Sequence, residues 1–143
     1  MARNGFDVRE LKKFRDNLVE LENSIDTVLE DCAMELAARL IREVKKRTPT
    51  DTGNLRRNWQ ATGVTKQGFN YTIEVINQTD YAVYVEYGHR QQPGRYVQAL
   101  GRRLKKSWVP GKFMMTISAQ EIQRRAPQIV EKFIAKKLGE YFK

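Results

Sequence analysis

A seam of apolar residues near the start of the chain constrains the fold more than any other feature. Its members are separated alternately by three and four residues, the spacing of one helix face: Leu11, Phe14, Leu18, Leu21, Ile25, Val28 and Cys32. The seam predicts a helix over residues 7–47. Asp7 is its expected N-cap, with Glu10 as the capping-box partner three residues later.

The length of this helix decides whether one chain can cover the seam. An unbroken helix of about 40 residues would reach roughly 60 Å at about 1.5 Å per residue, which is more than a small domain can cover. We therefore expect part of the seam to contact another chain. The alternative is that polar residues break the helix near residues 22–26 and that the seam forms one intramolecular core stripe.

Three strand-like segments follow the helix. Pro49 should end the helix, because proline disfavours helical geometry in the residue before it. Strands are predicted over residues 55–64, 69–76 and 81–87, where apolar and polar side chains alternate in the last two segments. The connections are short, so these segments should form an antiparallel meander of three to four strands over residues 55–87.

The last part of the chain is again helical in pattern. Apolar residues recur at helical spacing over residues 112–142, and Pro127 is expected to break or kink this helix. The order of helix, strands and helix in 143 residues predicts a single α+β domain covering residues 1–143.

A basic segment separates the third predicted strand from the last helix. Residues 88–111 contain His89 and six Lys or Arg residues, and no Asp or Glu. The six are Arg90, Arg95, Arg102, Arg103, Lys105 and Lys106. A long loop with one sign of charge on a small scaffold is a typical place for function, and its expected partner is a polyanion, first of all a nucleic acid backbone. The alternative is a solvated, partly disordered surface loop.

Charge is distributed unevenly along the chain, whose net charge is +9. Residues 1–43 have ten acidic and seven basic residues, a net charge of −3, whereas residues 44–143 have 19 basic and seven acidic residues, a net charge of +12. The two parts should attract each other, either within one chain or between neighbouring subunits.

Catalytic chemistry is poorly supported by the composition, and the prediction is that the protein is not an enzyme and holds no cofactor. One His and one Cys exclude a metal site made of these residues and a disulfide within the monomer. Glu86 and His89 could form a small nuclease site, but their spacing has no specificity. Tyr96 and Trp108 flank the basic run and could stack on bases, or belong to the core or a subunit contact.

No apolar run approaches the ~18 residues that a membrane span needs, and the first residues lack the apolar segment of a signal peptide. We therefore expect no membrane contact, and synthesis in a cytoplasm-like compartment.

Three short segments together resemble a known family. They are TPTDTGNL at residues 48–55, YAVYVEYGHR at residues 81–90 and GKFM at residues 111–114. Their order and spacing resemble the gp10-like family of small neck and tail-completion proteins, minor tail components of tailed bacteriophages and prophages. The resemblance covers roughly residues 30–140 and does not extend to the basic residues of the loop.

The resemblance implies a structural virion protein without enzymatic activity, assembled in the host cytoplasm and located at the neck, between head and tail. It implies a homo-oligomeric ring, a hexamer or a twelve-fold ring, through which DNA passes. Its partners would be copies of itself, the adjacent head-closure or connector proteins, the tail-terminator or tail-tube proteins, and packaged DNA by non-specific contact. The motif residues would have structural roles: Thr48, Pro49, Asp51, Thr52, Gly53, Tyr81, Tyr84, Glu86 and Gly88.

Within this hypothesis the six cations of residues 88–111 would either line the DNA channel or clamp a neighbouring ring. Two alternatives from other classes stay open. The first is a stand-alone nucleic-acid-binding protein without sequence specificity, whose affinity falls steeply with salt. The second is a small nuclease that uses Glu86 and His89.

Overall fold

The computed structural model describes residues 8–50 and 53–142. Within these residues, two long helices, two short helices and eight short strands form an α+β fold, as predicted. In chain order they are α1 Arg9–Arg47, α2 Asn54–Arg57, β1 Trp59–Ala61, β2 Thr65–Gln67, β3 Asn70–Thr72, β4 Val75–Asn77, α3 Ala82–Tyr87, β5 Gly88–Arg90, β6 Tyr96–Val97, β7 Arg102–Arg103, β8 Trp108–Pro110 and α4 Met114–Tyr141.

Helix α1 is one unbroken rod of 39 residues, about 58 Å long. It contains no Gly or Pro, and the alternative of a break near residues 22–26 is wrong. The helix ends at Arg47, and its C-cap Thr48 directly precedes Pro49, as predicted. The expected N-cap Asp7 lies outside the described residues, and at the described start the Val8 carbonyl accepts from the amide of Lys12 at 2.9 Å.

Helix α4 packs antiparallel against α1. The rings of Phe14 and Phe142 lie 5.3 Å apart at one end of the pair, and Arg47 Nη1 donates to Ser118 Oγ at 3.1 Å at the other. Pro127 lies inside α4 and does not break it. The two helices therefore form an elongated scaffold.

The seam of α1 is covered over only part of its length. Val28 and Cys32 are buried, whereas Leu11, Leu18 and Ile25 are 66%, 44% and 43% exposed. Burial raises the pKa of the Cys32 thiol, which makes it a poor nucleophile and an ordinary core residue. One chain therefore leaves part of the seam open, and the contact of these residues with another chain stays a prediction.

The segment between the long helices differs from the predicted meander. Leu55 belongs to α2, and the segment of residues 69–76 is interrupted at Ile73 and Glu74. Four separate antiparallel pairs result, with β1 paired to β4 (Trp59 opposite Asn77) and β2 paired to β3. The remaining two pairs lie in the basic segment.

The predicted third strand is helix α3. The alternation of Tyr, Val and Ala over residues 81–87 is compatible with a strand, but the structure buries Ala82 and Glu86, which lie four residues apart on one helix face. Tyr84 and Tyr87 are exposed and do not pack on a sheet.

The core lies where the end of α1, the start of α4 and the short elements meet. It consists of Val44, Leu55, Trp59, Ala82 and Met114. Two hydrogen bonds fix one side of it: Thr48 Oγ1 donates to the Val44 carbonyl at 2.6 Å and accepts from Trp59 Nε1 at 2.8 Å. Thr48 is itself buried, so the first motif residue is part of the core.

Candidate functional site

The basic segment of residues 88–111 forms a two-stranded antiparallel ribbon. At its base β5 pairs with β8, with Gly88 opposite Pro110, and farther out β6 pairs with β7. Between the two pairs, the amide of Gln91 donates to the Ser107 carbonyl at 3.0 Å. We call residues 88–111 the basic ribbon. Its backbone hydrogen bonds hold the cations on a defined surface, so the alternative of a partly disordered loop is not what the structure shows.

All six predicted contact residues lie on the basic ribbon and are exposed: Arg90, Arg95, Arg102, Arg103, Lys105 and Lys106. Among the residues that the structure describes, none of them forms an ion pair. Arg103 Nη1 donates to the backbone carbonyl of Gly94 at 2.8 Å, which leaves its charge uncompensated. The ribbon therefore presents a positive surface that can attract a partner with negative charge.

Aromatic side chains lie directly across the ribbon from two of the cations. Tyr96 is opposite Arg103 and Trp108 is opposite Arg90, and the two rings are about half exposed. Opposite residues in an antiparallel pair share one face of the ribbon. The surface can thus combine positive charge with flat apolar area. This combination suits either a nucleic acid or an acidic protein surface that has apolar side chains between its charges.

Two glycines allow the strands to meet at the base of the ribbon. Gly88 has φ 87°, and a Cβ there would lie 2.5 Å from the Val109 carbonyl oxygen. A Cβ on Gly111 would collide with the Glu86 carbonyl oxygen. The glycine of the second motif is therefore required by backbone contact.

Glu86 anchors the ribbon to the long-helix scaffold. It is 7% exposed, and its carboxylate accepts from the amide of Met115 at 2.9 Å and from the amide and hydroxyl of Thr116 at 2.8 and 2.7 Å. These amides belong to the first turn of α4, which has no intrahelical acceptors, and a carboxylate there also meets the positive end of the helix dipole. Glu86 thus acts as the cap of α4 from a distant part of the chain.

The same hydrogen bonds occupy the Glu86 carboxylate, which the nuclease hypothesis requires as its base. Both carboxylate oxygens of Glu86 accept hydrogen bonds, and its neighbour His89 packs its ring against Tyr84 at 6.2 Å. Within the described ranges, no group of three or more His, Cys, Asp and Glu side chains could hold a metal ion. We therefore do not propose the nuclease.

The remaining motif residues are placed as follows. Gly53 directly precedes α2 with φ 73°, a left-handed conformation that glycine adopts without strain. Asp51 and Thr52 lie outside the described residues. Tyr81 is 40% exposed, and its hydroxyl accepts from Asn54 Nδ2 at 3.3 Å across the start of α2.

A second cationic surface was not predicted from the sequence. A groove between α1 and α4, with a cavity of about 350 Å³, is lined by Glu35, Arg39, Arg125, Lys132 and Lys136 and continues to Arg42 and Lys46. Glu35 accepts from Arg39 at 2.9 Å, so the groove keeps an excess of positive charge. Its cations recur at spacings of three and four along α1 and of seven and four along α4, a signal that could have been read from the sequence.

Among models of known protein families, the one described as "Bacteriophage HK97-gp10, putative tail-component" matches residues 12–88, more than half of the 143 residues. The chain belongs to this HK97-gp10-like family. It is accordingly a phage tail-component structural protein, and such a component is part of the virion. No curated protein and no solved structure gives a significant match.

The matched region of this HK97-gp10-like protein covers α1 from residue 12 and the short elements up to Gly88, and it includes neither the rest of the ribbon nor α4. It starts earlier than the expected resemblance, within α1, and it ends at Gly88, the first residue of the ribbon. The GKFM segment at residues 111–114 lies outside the match. Among the described residues no helix has the length and hydropathy to cross a bilayer.

Proposed function

We propose that this tail component is a ring-forming neck or tail-completion protein that joins the head connector to the tail and surrounds the path of the DNA. One observation carries the proposal: a family scaffold presents an acid-free basic ribbon whose cations have no ionic partner among the described residues. A ring requires each subunit to offer two complementary faces, and the unequal charge of residues 1–43 and 44–143 supports that arrangement.

The ring contains six subunits in this proposal, with twelve as the alternative. The half-exposed seam of α1 supports contact between copies, because Leu11, Leu18 and Ile25 are left open by α4. Native mass measurement of the purified protein gives the subunit number directly. A strictly monomeric protein that is also absent from purified particles would contradict the proposal.

The six ribbon cations are the proposed contact set, either in the DNA channel or against a neighbouring ring. The test replaces Arg95, Arg102, Lys105 and Lys106 by Gln and examines phage particles by electron microscopy. Separate heads and tails would indicate a clamp between rings, whereas joined particles that lose DNA would indicate a channel surface. Joined, DNA-filled, fully infectious particles at normal yield would contradict both roles.

A matched control removes the same charge from other exposed positions. Lys12, Lys13, Arg56 and Arg124 are exposed and lie outside the ribbon. Their replacement by Gln should leave joining and infectivity unchanged. This control separates the position of the charge from the total charge of the protein.

A second candidate is a stand-alone protein that binds nucleic acid without sequence specificity. It is favoured by the groove between α1 and α4, which adds Arg39, Arg125, Lys132 and Lys136 to the ribbon's positive surface. Tight DNA binding by monomers, with affinity falling steeply as salt rises, would support it. Weak binding in isolation together with incorporation into particles would favour the ring.

A further inference from the structure

The N-terminal half of α1 presents an acidic surface. Between residues 16 and 38 the chain has seven Asp or Glu residues and no Lys or Arg. One exposed face of the helix follows spacings of four and three: Asp16, Glu20, Asn23, Thr27, Glu30 and Met34. We call these six residues the acidic stripe.

The charges of the acidic stripe are largely uncompensated. Asp16 pairs only with the adjacent Arg15, at 3.2 Å and fully at the surface. Glu20 and Glu30 form no ion pair with any residue that the structure describes. Met34 and the neighbouring Val19 are each 48% exposed. The stripe combines negative charge with apolar area, as the ribbon combines positive charge with Tyr96 and Trp108.

The two surfaces have comparable lengths. The acidic stripe extends over about 27 Å at 1.5 Å per residue. One arm of the basic ribbon, from residue 88 to residue 97, spans at most about 30 Å at 3.3 Å per residue, and the turn at residues 93 and 94 shortens it. A ribbon laid along the helix can therefore place its cations beside carboxylates over much of the stripe.

The two surfaces are distant within one chain. The base of the ribbon is attached to Glu86 at the start of α4, which lies beside Arg47 at the end of α1. The stripe occupies residues 16–34 of α1, of which the last is still about 20 Å along the helix from Arg47. No hydrogen bond or ion pair joins the stripe to the ribbon in the described part of the chain. A contact between two different patches of neighbouring copies is head-to-tail, the type that closes into rings.

We propose that the basic ribbon of one copy binds along the acidic stripe of the next copy, with Tyr96 and Trp108 packed against Val19 and Met34. This inference rests on the proposed ring function and names the subunit contact within it. It replaces the channel and inter-ring roles of the ribbon with a contact between neighbouring copies of one ring, and leaves the groove between α1 and α4 as the cationic surface available to DNA.

The test uses two charge-reversed proteins and their mixture. One carries Glu20→Lys and Glu30→Lys, and the other carries Arg102→Glu and Lys105→Glu; all four side chains are exposed and make no hydrogen bond or ion pair among the described residues. Each variant alone should associate about 100-fold more weakly than the original protein, because like charges face each other. The equimolar mixture should assemble again, with the two proteins alternating around the ring. Sedimentation measures the assembly, and circular dichroism shows that each variant is folded.

A control reverses charges away from both surfaces, with Glu131→Lys in one protein and Arg124→Glu in another, and should assemble normally. The inference is overturned if the original protein assembles and either variant does so equally well, or if both folded variants fail and the mixture fails too. Those results leave the ring function standing. An original protein that forms no oligomer in solution and is absent from particles overturns the inference together with the proposed function.

Discussion

The core and the basic ribbon are built on opposite principles. The core buries apolar side chains and satisfies its polar groups, as Thr48 does between Val44 and Trp59. The ribbon exposes its six cations and is held by backbone hydrogen bonds and by its base at Glu86. We infer that the core carries most of the stability of the fold, whereas the ribbon can change its side chains at little cost to folding. The family match includes neither the ribbon beyond Gly88 nor α4.

The largest contrast is expected between a core and a ribbon truncation. Met114→Ala should lower the free energy of unfolding by about 3 kcal/mol, because a fully buried side chain leaves a cavity. Leu100→Ala, at a half-exposed ribbon position, should change it by less than about 0.5 kcal/mol. Urea unfolding measures both. Equal losses would show that the ribbon contributes to the core.

The next contrast concerns the anchor of the ribbon. Glu86→Ala leaves the amides of Met115 and Thr116 without an acceptor and should cost about 2 kcal/mol in urea unfolding. Glu86→Gln keeps one oxygen acceptor and should cost less. Glu131→Ala, at an exposed position of α4, is the control and should be nearly neutral. A neutral Glu86→Ala would refute the capping role.

A smaller effect separates backbone collision from backbone strain. Gly88 and Gly94 both have positive φ, 87° and 83°, but only at Gly88 would a Cβ meet neighbouring backbone. Gly94→Ala should cost about 1 kcal/mol through strain alone. Gly88→Ala should cost at least about 1 kcal/mol more, since the strand pair at the ribbon base must also shift. Similar thermal midpoints for the two variants would contradict the close contact.

The smallest effect is the pH dependence of a surface contact. Lys66 Nζ lies 2.7 Å from Asp26 Oδ1, and the Tyr71 hydroxyl donates to the same oxygen, so the pKa of Asp26 is lowered. A lowered folded pKa means that this stabilisation is present above the ordinary carboxyl pKa and is lost as pH falls through the folded pKa.

Asp26→Asn should therefore be slightly less stable than the original protein at neutral pH, and the difference should vanish in acid. The difference between the two urea midpoints, followed as a function of pH, measures this. Glu22→Gln serves as the control because Glu22 is exposed and makes no ion pair in the described ranges. A difference that grows in acid would contradict the assigned contact.

Much of the helical scaffold was predictable from local pattern. The seam, the absence of Gly and Pro, and Pro49 together determined α1 and its end, because helix formation and termination depend on near neighbours. The acid-free composition of residues 88–111 predicted a surface that carries one sign of charge, and the six cations are exposed in the structure. The family resemblance was recognisable from the residues around Gly53 and Gly88, which have positive φ.

Only the tertiary structure decided the state of residues 81–87 and the existence of the cationic groove. Taken alone, the alternating Tyr and Val residues are compatible with a strand. The packing of α4 favours a helix instead, because Glu86 then caps the first amides of α4 and Ala82 is buried in the core. The groove forms because α1 and α4 pack together, so that Arg39 and Lys132 line it although 92 intervening residues separate them in sequence. The local sequence pattern indicates which secondary structures a segment can form. Burial and long-range hydrogen bonds determine which of them is observed, because the free energy of each depends on residues that are distant in the chain.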